Sequence, residues 1–134
     1  MVSAAAGGPE PEKRSGGRFA VESRPVDGAV VLSLAGELDH DTAAPLREAL
    51  TAALRTGAPR LLVDCAELSF CDSTGLNVLL RGRLEAEEAG ARLELAGLPR
   101  PVARMFRITG AEQVFPVHAD LATALADGRG GSDE

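Results

Sequence analysis

Hydrophobic and polar positions change period several times along the chain. Phe19 to Ser23 reads as a strand, and Arg24-Pro25-Val26-Asp27-Gly28 after it is a turn signal. Val30, Leu32 and Leu34 then alternate with Val31, Ser33 and Ala35, which predicts a second strand closing a hairpin. Gly36 to Thr42 is expected as a loop. Beyond it Leu46, Ala49, Leu50, Ala53 and Leu54 share one face at helical spacing. Thr42 as N-cap would put Pro45 in the first turn, where its missing N–H breaks no intrahelical bond. Gly57-Ala58-Pro59 ends this helix, and the continuous run Leu61-Leu62-Val63 predicts a central strand covered on both faces.

Ser69 to Gly75 then leads into Leu76, Leu79, Leu80 and Leu84, three and four residues apart, a second helix stopped by Gly90. Leu93 and Leu95 mark a fourth strand. Pro99 and Pro101 open a third helix carrying Val102, Met105 and Phe106, and Gly110 stops it. Val114 to Val117 is expected as the last strand, with Leu121, Ala124 and Leu125 on a short final helix. Strands and helices alternating after a hairpin predict an α/β fold, with a mixed, partly parallel sheet of about five strands and about four helices.

Two ends fall outside this pattern. Residues 1–17 and 128–134 mix Gly, charged and small residues without periodicity and are expected to be disordered extensions, leaving 18–127 as one domain. The whole chain has 134 residues, 20 acidic against 14 basic, for a net charge of -6. That balance argues against nucleic acid as a partner, since phosphate neutralisation needs a basic face. Trp and Tyr are absent, so base-stacking platforms are poorly supplied. Lys13 is the only lysine, which excludes a Walker-type phosphate loop and a lysine Schiff base within the domain. No apolar run approaches the ~20 residues needed to span a bilayer, and the start lacks the apolar stretch of a secretory signal. A cytoplasmic protein without membrane attachment is expected.

The chemistry-bearing segment is Cys71-Asp72-Ser73-Thr74-Gly75, at the hand-over from a strand and its connection to an amphipathic helix, a junction where α/β folds meet ligands and partners. Ser73 is placed at or near the N-cap, with its hydroxyl bonding a first-turn N–H, while Gly75 keeps the turn slim and lets another backbone approach. Two readings stand side by side. Asp, Ser and Thr satisfy orphan amides as a capping sequence. A hydroxyl here is equally an acceptor for a serine kinase, and a phosphate would add roughly -1.5 to -2 charges at a helix end that tolerates an anion. A partner docked on the same surface would not tolerate that charge.

Enzymatic alternatives are weaker. A serine hydrolase would need His40 or His118 as base to Ser73, yet the Gly-x-Ser-x-Gly elbow is absent. Cys65 and Cys71 lack Cys-x-x-Cys spacing and read as small buried hydrophobes. With His40 and His118 they match no zinc pattern, so neither a metal nor a cofactor is expected.

Gly36-Glu37-Leu38-Asp39-His40-Asp41-Thr42, followed about thirty residues later by Leu68-Ser69-Phe70-Cys71-Asp72-Ser73-Thr74-Gly75-Leu76, resembles the STAS-domain anti-sigma factor antagonists of bacteria. Val102-Ala103-Arg104-Met105-Phe106 and Thr109-Gly110 fit the family's later region, and the similarity spans residues 18–127. The resemblance implies a non-enzymatic regulator. Its partner would be an anti-sigma factor that is a serine kinase of the histidine-kinase ATPase type, and that partner would carry the ATP and magnesium. Binding frees a sigma factor, phosphorylation ends the binding, and a separate phosphatase resets the switch. The phosphorylated serine of the family falls on Ser73, its preceding acid on Asp72, and a secondary acceptor on Thr74. Glu37 and Asp39 match loop acids that face the kinase, and Gly75 completes the motif. For Asp39, capping of the helix start is an equal reading. The fold also serves as a binding module in stress-signalling scaffolds or lipid-transporter complexes, an alternative that fold alone does not separate.

Overall fold

The computed structural model describes residues 18–131. Residues 1–17 and 132–134, assigned above to the extensions, lie outside the described residues. Strand β1 (Phe19–Val26) and strand β2 (Ala29–Leu38) form the expected antiparallel hairpin, with Val21 opposite Leu34. Helix α1 (Ala43–Arg55) leads to β3 (Arg60–Cys71), helix α2 (Ser73–Glu88) to β4 (Arg92–Ala96), and helix α3 (Arg100–Thr109) to a 3-10 turn at Ala111–Gln113 and the two-residue β5 (Val117–His118). Helix α4 (Leu121–Gly131) follows. The five strands lie in sequence order, and every pairing after the hairpin is parallel. This is the mixed sheet that the alternation of elements predicts.

Burial explains the layering. Val30, Leu32, Leu34, Leu61 and Val63 point to one face, where they pack with Leu46 and Leu50 of α1, Leu76 and Leu79 of α2, and Val102 and Phe106 of α3. The opposite face is smaller: Ala29, Val31, Leu62 and Ala96 are covered by Ala124 of α4, with Leu121 and Leu125 beside it. The Leu61-Leu62-Val63 run is therefore buried on both sides, as a central parallel strand requires. Polar bonds also fasten this second face. Glu94 is 2% exposed and accepts from Arg60 Nη2 at 2.6 Å and Arg92 Nε at 2.9 Å, with His118 Nε2 at 2.9 Å. Arg60 Nη2 also donates to the Ala124 carbonyl of α4 at 3.0 Å. Burial alone would raise the Glu94 carboxyl, but hydrogen bonds from Arg60, His118 and Arg92 outweigh it and bring the group down to about 2.

Four local expectations are corrected. Strand β2 continues through Gly36, Glu37 and Leu38, and β3 through Cys71, so these stretches are paired strand rather than loop. The ladder absorbs extra β3 residues at two irregularities: Ser33 faces Asp64, Ala35 faces Glu67 and Glu37 faces Phe70. Such bulges break the period-2 pattern that would announce a strand. Val114 to Val117 is not a strand; Val114 caps the 3-10 turn and pairing begins only at Val117. Helix α4 runs to Gly131, past the expected domain end at residue 127.

Candidate functional site

Helix α2 begins where β3 leaves the sheet. Asp72 is extended, at φ -99 and ψ -173, and its Oδ1 accepts the Gly75 N–H at 3.0 Å. Asp72, not Ser73, is therefore the N-cap, and a carboxylate there suits both the orphan amide and the positive helix end. Ser73 is the first helical residue, exposed, and its hydroxyl makes no hydrogen bond among the described residues. Thr74 is half-buried and lines the seam between α1 and α2, a cavity of about 170 Å³ shared with Arg47, Asn77 and Arg81. The two adjacent hydroxyls thus face different surroundings.

Gly75 is where α2 meets the neighbouring strand. A Cβ there would lie 2.6 Å from Leu38 Cγ and 3.0 Å from Cys71 Sγ, so the close neighbour is a pair of buried side chains rather than backbone. The Asp72 N–H donates to the Leu38 carbonyl at 3.1 Å. These two contacts join the start of α2 to the end of β2, and bring Ser73 to the side of the Glu37–Thr42 segment. The sequence-expected residues Glu37, Asp39, Asp72, Ser73, Thr74 and Gly75 accordingly sit on neighbouring ends of β2, β3, α1 and α2.

Thr42 organises that segment. It is fully buried, its hydroxyl donates to the Glu37 carbonyl at 2.8 Å and accepts the Asp39 N–H at 2.9 Å. It is the N-cap residue of α1, as expected, but its side chain is spent on this loop and makes no capping bond to the helix. Asp39 Oδ1 accepts the Asp41 N–H at 3.0 Å, an Asx-type turn. Glu37 belongs to β2 and stands beside Phe70, which is 49% exposed. An exposed aromatic at the sheet end, opposite Glu37, extends the candidate surface beyond the residues that the motif alone singles out.

Arg18 is the residue that the sequence did not point to. Its guanidinium lies 3.2 Å from Glu37 Oε1, 3.0 Å from Asp39 Oδ2 and 3.8 Å from Asp41 Oδ2. The hydrogen bond from Arg18 holds the Asp39 carboxyl below the usual carboxylate range, and Asp39 in turn raises Arg18. No local pattern could have found it, because its partners are about twenty residues away across the hairpin.

The other candidates are occupied elsewhere. Cys65 and Cys71 are buried free thiols; burial pushes Cys65 well up, and burial with the Asp72 charge pushes Cys71 up to about 12, which suppresses thiolate chemistry. His118 is bonded to Glu94 and His40 Nε2 lies 3.2 Å from Asp41 Oδ1; neither is hydrogen-bonded to Ser73. Among the described residues no helix is long and apolar enough to cross a membrane.

The family model described as "Mlab, STAS domain" matches residues 22–126. The chain belongs to the STAS-domain family. The anti-sigma-B factor antagonist of Bacillus subtilis is 30% identical over 99 residues, covering 74% of this chain and 90% of that protein. The solved structure of the anti-sigma factor antagonist SpoIIAA in its unphosphorylated form is 28% identical with a TM-score of 0.72, over 83% of this chain and 97% of that one. The phosphorylated form of the Bacillus cell fate determinant SpoIIAA matches with 26% identity and a TM-score of 0.65, over 81% and 98% of the two chains.

Proposed function

We propose that this chain is an anti-sigma factor antagonist, which in its unphosphorylated state binds an anti-sigma factor serine kinase and so frees a sigma factor for transcription. One observation carries the choice of Ser73 as the switch. Because Asp72 caps α2, Ser73 is exposed and its hydroxyl is bonded to none of the described residues, so esterifying it breaks no hydrogen bond among them. The names of the relatives support the antagonist role, and SpoIIAA is known in both phosphorylation states.

In this reading the chain acts by docking, in the cytoplasm, and catalyses nothing itself. The partner, a kinase of the histidine-kinase ATPase type, binds the surface formed by Ser73, Thr74, Gly75, Asp72 and the acids Glu37 and Asp39. It brings ATP and magnesium, and transfers the γ-phosphoryl group to Ser73 Oγ; ADP leaves and the hydroxyl proton is released. The new dianion lies at the first turn of α2, where amides and dipole favour it, so the domain stays folded. The partner faces an uncompensated charge in the interface and lets go. A phosphatase restores the hydroxyl. Thr74, turned to the α1–α2 seam, is the secondary candidate for the same role.

Incubation with ATP and the cognate anti-sigma kinase tests this. The wild type gains one phosphate and dissociates, whereas Ser73→Ala gains none and stays bound with ATP present. Release of Ser73→Ala by ATP, or phosphate retained in Ser73→Ala but lost in the double variant with Thr74→Ala, removes Ser73 from the mechanism.

A further inference from the structure

The acids of the Glu37–Thr42 segment are not free. Arg18 grips them from the start of β1, with its Nη1 3.0 Å from Asp39 Oδ2 and 3.2 Å from Glu37 Oε1 and its Nη2 3.4 Å from Asp39 Oδ1. The backbone fixes this approach. The Arg18 carbonyl accepts the Glu37 N–H at 2.8 Å, and the same oxygen occupies the place that a Cβ on Gly36 would take, at 1.9 Å, with Gly36 at φ +98. Only glycine permits β1 to start so close to β2. We infer that Arg18 is an internal stand-in for a basic group of the partner: an arginine or lysine from the docking protein has to displace it from Asp39 and Glu37. The inference rests on the docking surface proposed above and adds a residue that sets its affinity and its preference for a basic contact.

The sign follows from what holds Asp39. Its Oδ1 takes the Asp41 N–H and its own N–H is held by the Thr42 hydroxyl, so the carboxylate keeps its position when Arg18 is removed. Arg18 is therefore not needed to build the loop. Its presence occupies the carboxylate faces that an incoming guanidinium would use, and the Asp39 side chain is only 17% exposed, which leaves little room for two cations at once. Removing the arginine should aid binding in trans. Both Arg18 and Glu37 are substantially exposed, at 41% and 50%, so the clasp is weak enough to exchange.

The test uses the full chain and the peptide acetyl-Arg-Arg-Arg-amide, titrated at low ionic strength while backbone amide resonances are followed. Arg18→Gln is expected to bind about fivefold tighter than wild type, the size of a displaced exposed ion pair, with shifts centred on residues 37–42. Adding Asp39→Asn should abolish the gain. Because Arg18→Gln alters an exposed side chain only, its melting curve serves as the folding control, and Arg18→Lys, which retains the charge, should fall between the two. Equal or weaker peptide binding by Arg18→Gln overturns the inference. With the cognate anti-sigma kinase the same ranking is expected. If Arg18→Gln binds that kinase no tighter than wild type, the stand-in role fails while the antagonist reading survives. If neither protein binds the kinase but the peptide ranking holds, the antagonist reading fails and the clasp on a basic partner remains.

Discussion

Gly75→Ala probes the joint that places the candidate phosphosite. Gly75 lies in the first turn of α2 outside the left-handed region, so alanine is conformationally admissible, and propensity alone would favour it by about 0.5–1 kcal/mol. Space decides otherwise. The new methyl would lie 2.6 Å from Leu38 Cγ, 2.9 Å from Leu38 Cδ2 and 3.0 Å from Cys71 Sγ. The Leu38 contact is with a branch point, not a flexible end, and Leu38 is fully buried. Overpacking of this kind costs about 1–3 kcal/mol, which against that gain leaves a net loss of up to about 2.5 kcal/mol. Urea unfolding followed by circular dichroism measures it. The decisive comparison is a double-mutant cycle with Leu38→Ala, which alone costs about 2–5 kcal/mol by leaving a cavity. In that background Gly75→Ala should cost nothing or stabilise, because the methyl enters vacated space, giving a coupling of about 1 kcal/mol or more. An equal cost in both backgrounds would refute the steric account. The same strain tilts the turn carrying Ser73, so Gly75→Ala should also weaken partner binding by more than its loss of stability explains.

The remaining expectations concern polar contacts. The Glu94 carboxyl titrates near 2 in the folded chain against an ordinary 4.5, so its contribution is complete above pH 4.5 and is lost as pH falls toward 2; about 3 kcal/mol should disappear across that window, and an acid titration of unfolding free energy without such a slope would contradict the network. Glu94→Gln leaves Arg60 and Arg92 without their shared anion and should destabilise by about 3–5 kcal/mol in the same assay at neutral pH. Asp72→Ala removes the acceptor of the Gly75 N–H and should cost about 1 kcal/mol by thermal melting, whereas Ser73→Ala should be nearly neutral; a reversed order would make Ser73 the cap. Thr42→Val strands the Glu37 carbonyl and the Asp39 N–H in a part-buried position and should cost about 1 kcal/mol or more, which an unchanged melting temperature would rule out.

Amphipathic spacing was enough to place α1 through Leu46 and Leu50, α2 through Leu76 and Leu79, and the central strand through Leu61-Leu62-Val63. In each case one apolar face has to be buried, and the period of that face names the element. The hydroxyls and acids of the candidate site were visible as a motif for a related reason: a strand-to-helix junction needs a capping residue within a few positions, so its chemistry is local in sequence. Which residue did the capping was not visible. Asp72 and Ser73 are both good N-caps, and only the direction in which β3 leaves the sheet gives the bond to Asp72.

Tertiary structure alone decided the rest. Glu94, between Leu93 and Leu95, looks like the solvent side of an alternating strand, yet it is buried because α4 returns over that face and Arg60, Arg92 and His118 converge on it from separate strands. Arg18 stands at the edge of a tail in sequence and at the centre of the acidic loop in space, because antiparallel pairing folds β1 back along β2. Periodicity reports the environment that a residue's neighbours in the chain require. Charge partners twenty or thirty positions apart meet only through strand register, and register is fixed when all the faces are buried together.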